Sequence, residues 1–276
     1  MTINLAQKYA PKVDEKFKQD SLTESIINND FDWQGVDTVK VYSIETVDLT
    51  NYTRSGAQRY GTPAELSDSL QTLTLTQDKA FTFTIDKIYE LSQAENKSAG
   101  TALRRQLDEK VIPEIDIYRI SKLIAGANTM ATGATTKTNA YEQFLTGMET
   151  LSDAKVPITG RVALVTPSFY KFLKLDDTFI KNSDLGQEIT INGQIGKIDG
   201  VPVVVVPSSY FTGNVNFILT HPSALVAPKK LTEYKIHQNP PGISGSLIEG
   251  RIVHDAFVLN NKKDAVYAHR TAAPEE

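Results

Sequence analysis

Four histidines, His221, His237, His254 and His269, all fall in the last third of a 276-residue chain. Imidazoles so grouped are the first place to look for a metal ion or a general base. They fall in different predicted strands or turns, without the close ligand spacing of helical or knuckle sites, and no HExxH is present. His254–Asp255 supplies two members of a hydrolase triad, but no serine lies in a GxSxG elbow, and Ser244 and Ser246 belong to a predicted GISGS loop. Paired carboxylates at Asp108–Glu109, Glu114 with Asp116, and Asp176–Asp177 could divide acid and base roles. In this pattern they read as solvated helix or loop faces. Gly193, Gly196 and Gly200 have neither GxGxxG nor GxxxxGK[ST] spacing and read as turn glycines. Cysteine is absent, which removes thiol catalysis, thiolate metal sites and disulfides together. No catalytic, cofactor-binding or metal-ligating residue is expected, and the chain reads as a non-enzyme.

Net charge is −4, from 29 basic and 33 acidic residues that are well mixed. No basic run or Arg-rich tail provides the phosphate contacts that dominate nucleic-acid affinity, so sequence-specific DNA binding is not expected. No window reaches the apolar length of a membrane helix. The first residues, MTINLAQKYAPKVDEKF, lack the apolar stretch of a secretory signal, so the sequons at Asn51 and Asn96 carry little meaning. Hydrophobic content of 40% supports a sizeable core, in one large domain or two ordinary ones.

The elements that must position any function are organised around Glu95 to Ala127. Leu103, Leu107, Val111, Ile115 and Tyr118 recur at steps of four and three, which predicts a long amphipathic helix. Arg104, Arg105, Asp108, Glu109 and Lys110 crowd its other side. Ser98 is the expected N-cap and Gly126 the C-terminal stop. Pro113 interrupts the middle, where it removes a backbone hydrogen bond and crowds the preceding turn; it either kinks the helix or splits it. Before it, residues 1–34 are polar, with one apolar stripe of Leu5, Tyr9, Val13 and Phe17. That stripe fits either a short surface helix on its own core or an arm that docks on a neighbouring subunit. Phe31 and Trp33 are expected to pin its end.

From Thr38 the period drops to two. TVKVYSIETVDLT predicts a strand, and LQTLTLTQDKAFTFTID a second long one, bulged or turned near Gln77 to Lys79. About twenty polar residues with Gly56, Gly61 and Pro63 separate them, giving a long hairpin arm. Such a loop needs a reason, and a lone hairpin is marginal unless it lies on another surface. The Thr/Ala/Gly-rich stretch 128–140 reads as a flexible connection and marks a domain boundary. After it, strands at 160–166, 201–206 and 215–220 alternate with helices, which predicts a mixed α/β subdomain. LTEYKIH reads as a strand, and SLIEGRIVHDAFVLN with KDAVYAHR as a strand pair turning at Asn260 to Lys263.

The run from the Thr-rich strand through TIDKIYELSQAENKSAG into RRQLDEKVIPEIDIYRISKLI resembles the major capsid (coat) protein of tailed bacteriophages. That fold is shared with encapsulin shells and the herpesvirus capsid floor. Pro113, Glu114 and Asp116 are the most specific part, and IEGRIVHDAFVLNNKKDAVYAHR is similar as well. The resemblance spans about residues 30–270 in element order. It implies an α+β fold with an N-terminal arm (1–34), an extended β-hairpin loop (35–92), a peripheral domain with the spine helix (93–128 and 220–258) and an α/β axial domain (129–219 and 259–276).

The implied function is a structural subunit that assembles into hexamers and pentamers enclosing double-stranded phage DNA. The alternatives are an encapsulin-like compartment or a non-enzymatic surface-binding module. Implied partners are further copies of the chain, a separate scaffolding protein and a portal, with packaged DNA contacted non-specifically and no membrane. The implied location is the virion, after assembly in the host cytoplasm. A separate scaffold or an already trimmed chain is expected, because some members carry a long N-terminal scaffolding segment. No lysine lies between Tyr42 and Asp78, so the covalent crosslink some members form from this loop is not expected. Arg54 and Arg59 near the hairpin tip are expected to meet Asp108, Glu109 or Glu114 of a neighbouring subunit.

Overall fold

The computed structural model describes residues 21–31, 38–63, 65–88, 98–176 and 194–271. The apolar stripe Leu5–Phe17 and Trp33 lie outside them.

Six strands form the largest sheet: β5 (Thr129–Thr132), β6 (Val162–Val165), β7 (Gln194–Ile198), β8 (Val201–Val205), β9 (Val215–Thr220) and β14 (Val266–Arg270). Their order is β5-β14-β9-β6-β8-β7, with β5–β14 and β6–β8 parallel and the remaining pairs antiparallel. Val162 and Leu164 face one side, Ala163 and Val165 the other, and all four are buried. A strand covered on both faces reads as a continuous apolar run, which is why VALV shows no alternation. Helices Ala140–Asp153 and Pro167–Lys174 cover one face through Phe144, Leu151, Phe169 and Leu173. Ile26 and Ile27, with Ile120, Leu123 and Ile124 of the long helix, cover the opposite face. Gly147 lets the first of these helices approach closely, since a Cβ there would lie 2.7 Å from Leu219 and 2.8 Å from Tyr267.

A second sheet is fully antiparallel, with β12 (Gly245–His254) between β4 (Gln77–Asp86) and β11 (Lys229–Gln238). The N-terminal end of the long helix covers Phe81, Phe83, Ile85 and Ile248 with Ala99, Ala102 and Leu103. One helix therefore bridges the two sheets. It runs as Ala99–Gln106, a π-turn Leu107–Val111, and Ile112–Ala125. Pro113 neither breaks the run nor leaves it regular. The Ile112 N–H reaches back five residues to Leu107 O, widening the turn that the proline ring would otherwise crowd. Ser98 caps the start, accepting from Thr101 N–H at 3.3 Å. Gly126 ends the helix for a reason other than the left-handed conformation expected of a C-terminal glycine: its φ is −90°. A Cβ there would sit 2.5 Å from Val258, so the glycine is required by close packing.

Four expectations are corrected. The stretch 128–140 is not simply a flexible connection, because Thr129–Thr132 pairs with β14 as the edge strand β5. The long second strand divides at Leu75–Thr76. Its first part, β3 (Asp68–Thr74), pairs with β2 (Thr38–Ile44), whereas β4 leaves the hairpin to pair with β12. The C-terminal strand pair does not form. β12 pairs with β4 and β11; β13 (Phe257–Val258) pairs with β10 (Leu225–Val226), itself beside β1 (Ile27–Asn28); and a 3-10 turn at Asn260–Ala265 carries the chain to β14 in the other sheet. Finally, two carboxylates read as solvated are buried. Asp116 and Asp176 are each 1% exposed, because they accept hydrogen bonds from distant backbone and side-chain donors.

Candidate assembly surfaces

The hairpin pairs Thr38–Ile44 with Thr74–Asp68 in unbroken antiparallel register. Alternation sorts its side chains. Val39, Val41 and Leu73 turn towards Val226, Phe257 and Leu259. Tyr42, Ile44 and Leu70 turn outward and are exposed, with Tyr42 directly opposite Leu70. Beyond the ladder, Val47, Leu49, Tyr52, Tyr60 and Leu66 are exposed as well, Leu49 completely. The tip is nonetheless organised. Thr53 N–H donates to Arg59 O at 3.0 Å, Thr50 Oγ1 donates to Tyr60 O at 3.0 Å, and the Tyr52 and Tyr60 rings meet edge to face at 5.0 Å. An ordered arm with this much uncovered apolar surface marks an interaction site.

Arg54 and Arg59 sit in the tip, where Arg59 Nε donates to Gly56 O at 3.2 Å. The three acids matched to them lie on and just after the π-turn of the long helix, and each has a cation of its own chain. Asp108 is 3.8 Å from Arg104, Glu109 3.1 Å from Arg105, and Glu114 3.4 Å from Lys79. Within one chain the two groups thus occupy separate elements.

Residues that sequence reasoning missed hold the arm and the N-terminal segment to the body. Asp116 Oδ1 accepts from Ser21 Oγ at 2.8 Å and Thr23 Oγ1 at 2.6 Å, while Oδ2 accepts from Leu22 N–H at 2.8 Å. Buried Arg119 donates to Thr23 Oγ1 at 2.8 Å and to Glu24 at 3.2 Å, and Lys229 reaches Glu24 at 2.9 Å. Burial pushes the Glu24 carboxyl up, but Lys229 and Arg119 together outweigh it and hold it below its usual value. The helical step from Asp116 to Arg119 was the one local signal of this cluster.

The histidines serve separate places. His221 caps a turn through Ser223, and His237 lies 3.3 Å from Glu249. His254 is buried edge-on against Tyr118, and His269 stacks on Phe217 at 5.2 Å. Among the described residues no group of three or more His, Asp or Glu side chains could hold a metal ion, and no helix is long and apolar enough to cross a membrane.

No family model and no curated protein matches this sequence. Solved structures do. A chain from Mycobacterium phage Che8 is 18% identical over 98% of both chains, with a TM-score of 0.78. A chain in the asymmetric unit of the bacteriophage PhiM1 mature capsid is 10% identical, covering 99% of this chain and 93% of its own, at 0.72. The capsid structure of the cyanophage P-SCSP1u matches at 13% identity, 98% and 93% coverage, and 0.71. The chain has the α+β fold of phage capsid structures, along nearly its whole length.

Proposed function

We propose that this chain is the major capsid protein of a tailed phage, assembling into hexamers and pentamers of an icosahedral head that encloses double-stranded DNA. The observation that carries the reading is the hairpin, an arm whose apolar outer face is exposed among the described residues, on a fold shared with phage capsid structures. A monomer gains nothing from that exposed surface; a subunit in a shell buries it against a neighbour. In this reading the six-stranded sheet is the axial domain, and the β4-β12-β11 sheet with the front of the long helix is the peripheral domain. Within the N-terminal arm (1–34) of this reading, Ser21–Thr23, Ile26 and Ile27 stay on their own body. The role is structural and non-catalytic, the location is the virion after assembly in the host cytoplasm, and a scaffold and a portal act as partners.

Arg54 and Arg59 meet Asp108, Glu109 or Glu114 of a neighbour. These acids already have local cations, so the contact adds about 0–1 kcal/mol per pair and sets register more than strength. Reversing both arginines to glutamate is expected to impair assembly and leave the monomer folded; normal shells from that variant would remove the contact. Negative-stain electron microscopy of the purified protein, alone and co-expressed with its genomic neighbours, tests the whole reading. Closed shells, or rings of five and six subunits, are expected, and only dispersed small particles under both conditions would overturn it.

A further inference from the structure

We infer that Asp255 is the positioning residue that fixes the direction in which the hairpin leaves the body; the inference rests on the assembly reading above. β3 ends at Thr74 and β4 begins at Gln77, so Leu75 and Thr76 link the hairpin's second strand to the β4-β12-β11 sheet, beside the packing of Val39, Val41 and Leu73 on the body. Each residue has two soft backbone dihedrals, and an unrestrained junction of this length lets an arm swing. Thr76 is restrained twice, because its N–H and its Oγ1 both donate to Asp255 Oδ2 at 2.8 Å. The other oxygen accepts from Tyr118 Oη at 2.7 Å and from Ala256 N–H at 2.8 Å.

One buried carboxylate thereby joins the hairpin junction, the long helix and the turn between β12 and β13. A carboxylate accepts through both oxygens, so one side chain can take all four converging donors. His254 beside it leaves the arrangement undisturbed: its ring packs edge-on against Tyr118, and its buried Nδ1 takes no hydrogen bond among the described residues. A second tether lies one turn of the pleat away. The Gln71 side chain donates to Val258 O at 3.1 Å and accepts from Asn260 N–H at 2.9 Å. Segment 255–260 leads directly to β14, so the arm is aimed relative to the six-stranded sheet.

The absence of cysteine makes the test direct. Spin labels at Asp68→Cys and Glu149→Cys, both exposed, report the distance between the hairpin and the body in the unassembled full-length chain. A control pair at Glu149→Cys and Thr212→Cys stays within the body. Asp255→Asn is expected to broaden or shift the first distance distribution, roughly doubling its width, and to speed amide exchange over Leu73–Gln77 about tenfold. The control pair should be unchanged. Thr76→Val and Tyr118→Phe each remove one bond without a charge change, so they serve if Asp255→Asn fails to fold. Of these, Thr76→Val should loosen the arm more.

Unchanged distances and exchange in the folded variants would overturn the inference. A merely structural aspartate would lower the melting temperature and leave the hairpin-to-body distance distribution as narrow as in the parent. Shells of altered diameter or open sheets from Asp255→Asn are the assembly counterpart. If the parent chain forms no shells, the assembly reading fails while the distance measurement still decides whether Asp255 aims the hairpin.

Discussion

The six-stranded sheet and the hairpin are built from the same kind of strand and treated in opposite ways by the rest of the chain. VALV at 162–165 and VYAH at 266–269 have both faces buried, under helices on one side and under the long helix with Ile26 and Ile27 on the other. Val39, Val41 and Leu73 of the hairpin cover only a corner of the body, and Tyr42, Ile44 and Leu70 cover nothing. Burial contributes about 25 cal/mol per Å² of apolar surface, so the body satisfies its own demand, and in the proposed reading the hairpin defers part of its demand to a second molecule. Stability and assembly are thereby placed on different residues, which makes them separable by mutation.

The largest effect on the fold should come from the centre of the body. Phe217 packs against Phe169 at 4.4 Å, Phe144 and Tyr267 at 6.0 Å, and His269. Phe217→Ala empties the middle of that cluster and should cost about 3–5 kcal/mol, read as a lower denaturant midpoint. A cost under about 1 kcal/mol, the size of an ordinary surface change, would mean the body is not the rigid partner in the comparison.

Next comes the clamp on the N-terminal segment. Asp116→Ala removes one of the two carboxylates near buried Arg119, leaving Glu24 at 3.2 Å, and it strips acceptors from Ser21, Leu22 and Thr23. A loss of about 2–3 kcal/mol is expected, since donors stranded in the interior carry their desolvation cost. Asp116→Asn should lose less, because it keeps one acceptor oxygen.

Acid should act on the body and the hairpin root before it acts on the hairpin's outer face. Burial, with Arg119 adding to it, depresses the His254 imidazole although Asp255 and Glu114 oppose the shift; burial alone depresses His269. Folded-state values below the unfolded 6.5 mean that the unfolded chain binds protons the folded chain refuses. Their stability contribution is complete above that pH and is lost as pH falls through the folded values. Thermal unfolding followed from pH 7.5 downward should show the loss beginning near pH 6.5, and His254→Phe with His269→Phe should flatten it. An unchanged slope in that double variant would assign the acid sensitivity to other groups.

How much of this was legible in the sequence follows from how local each cause is. The long helix and the hairpin strands are announced by periodicity, the helix cap by Ser98, and the buried strand at 162–165 by an unbroken apolar run, all local signals. The division at Leu75–Thr76 shows there only as a bulge or turn near Gln77 to Lys79; that β4 leaves the hairpin is not legible, because its partner β12 lies some 170 positions later. Asp116 stands out beside Glu114 and in the capsid resemblance but reads as solvated; its donors lie 93 to 95 residues away. Asp255 was noticed only as a neighbour of His254. At the tip, Arg54 and Arg59 were placed correctly on the polar loop by its glycines, but no sequence pattern states what a second molecule presents to them.

The smallest effect on the fold is expected where the assembly effect should be greatest. Tyr42 and Leu70 face each other across the hairpin ladder and are 66% and 48% exposed. Tyr42→Ser with Leu70→Ser therefore removes surface that is already wet, and the monomer's stability should fall by no more than about 1 kcal/mol. The cross-strand contact itself is worth about 0.2–1 kcal/mol, and serine is poorer than tyrosine in a strand. Any change should thus be a slight loosening of the hairpin ladder, detectable as faster exchange between Val39 and Leu73. Particle yield should fall sharply, because the apolar face that a neighbour would bury is gone. Shells formed at the parental yield would mean that this face is not the one covered on assembly, and would shift the search along the arm to Val47, Leu49 and Leu66.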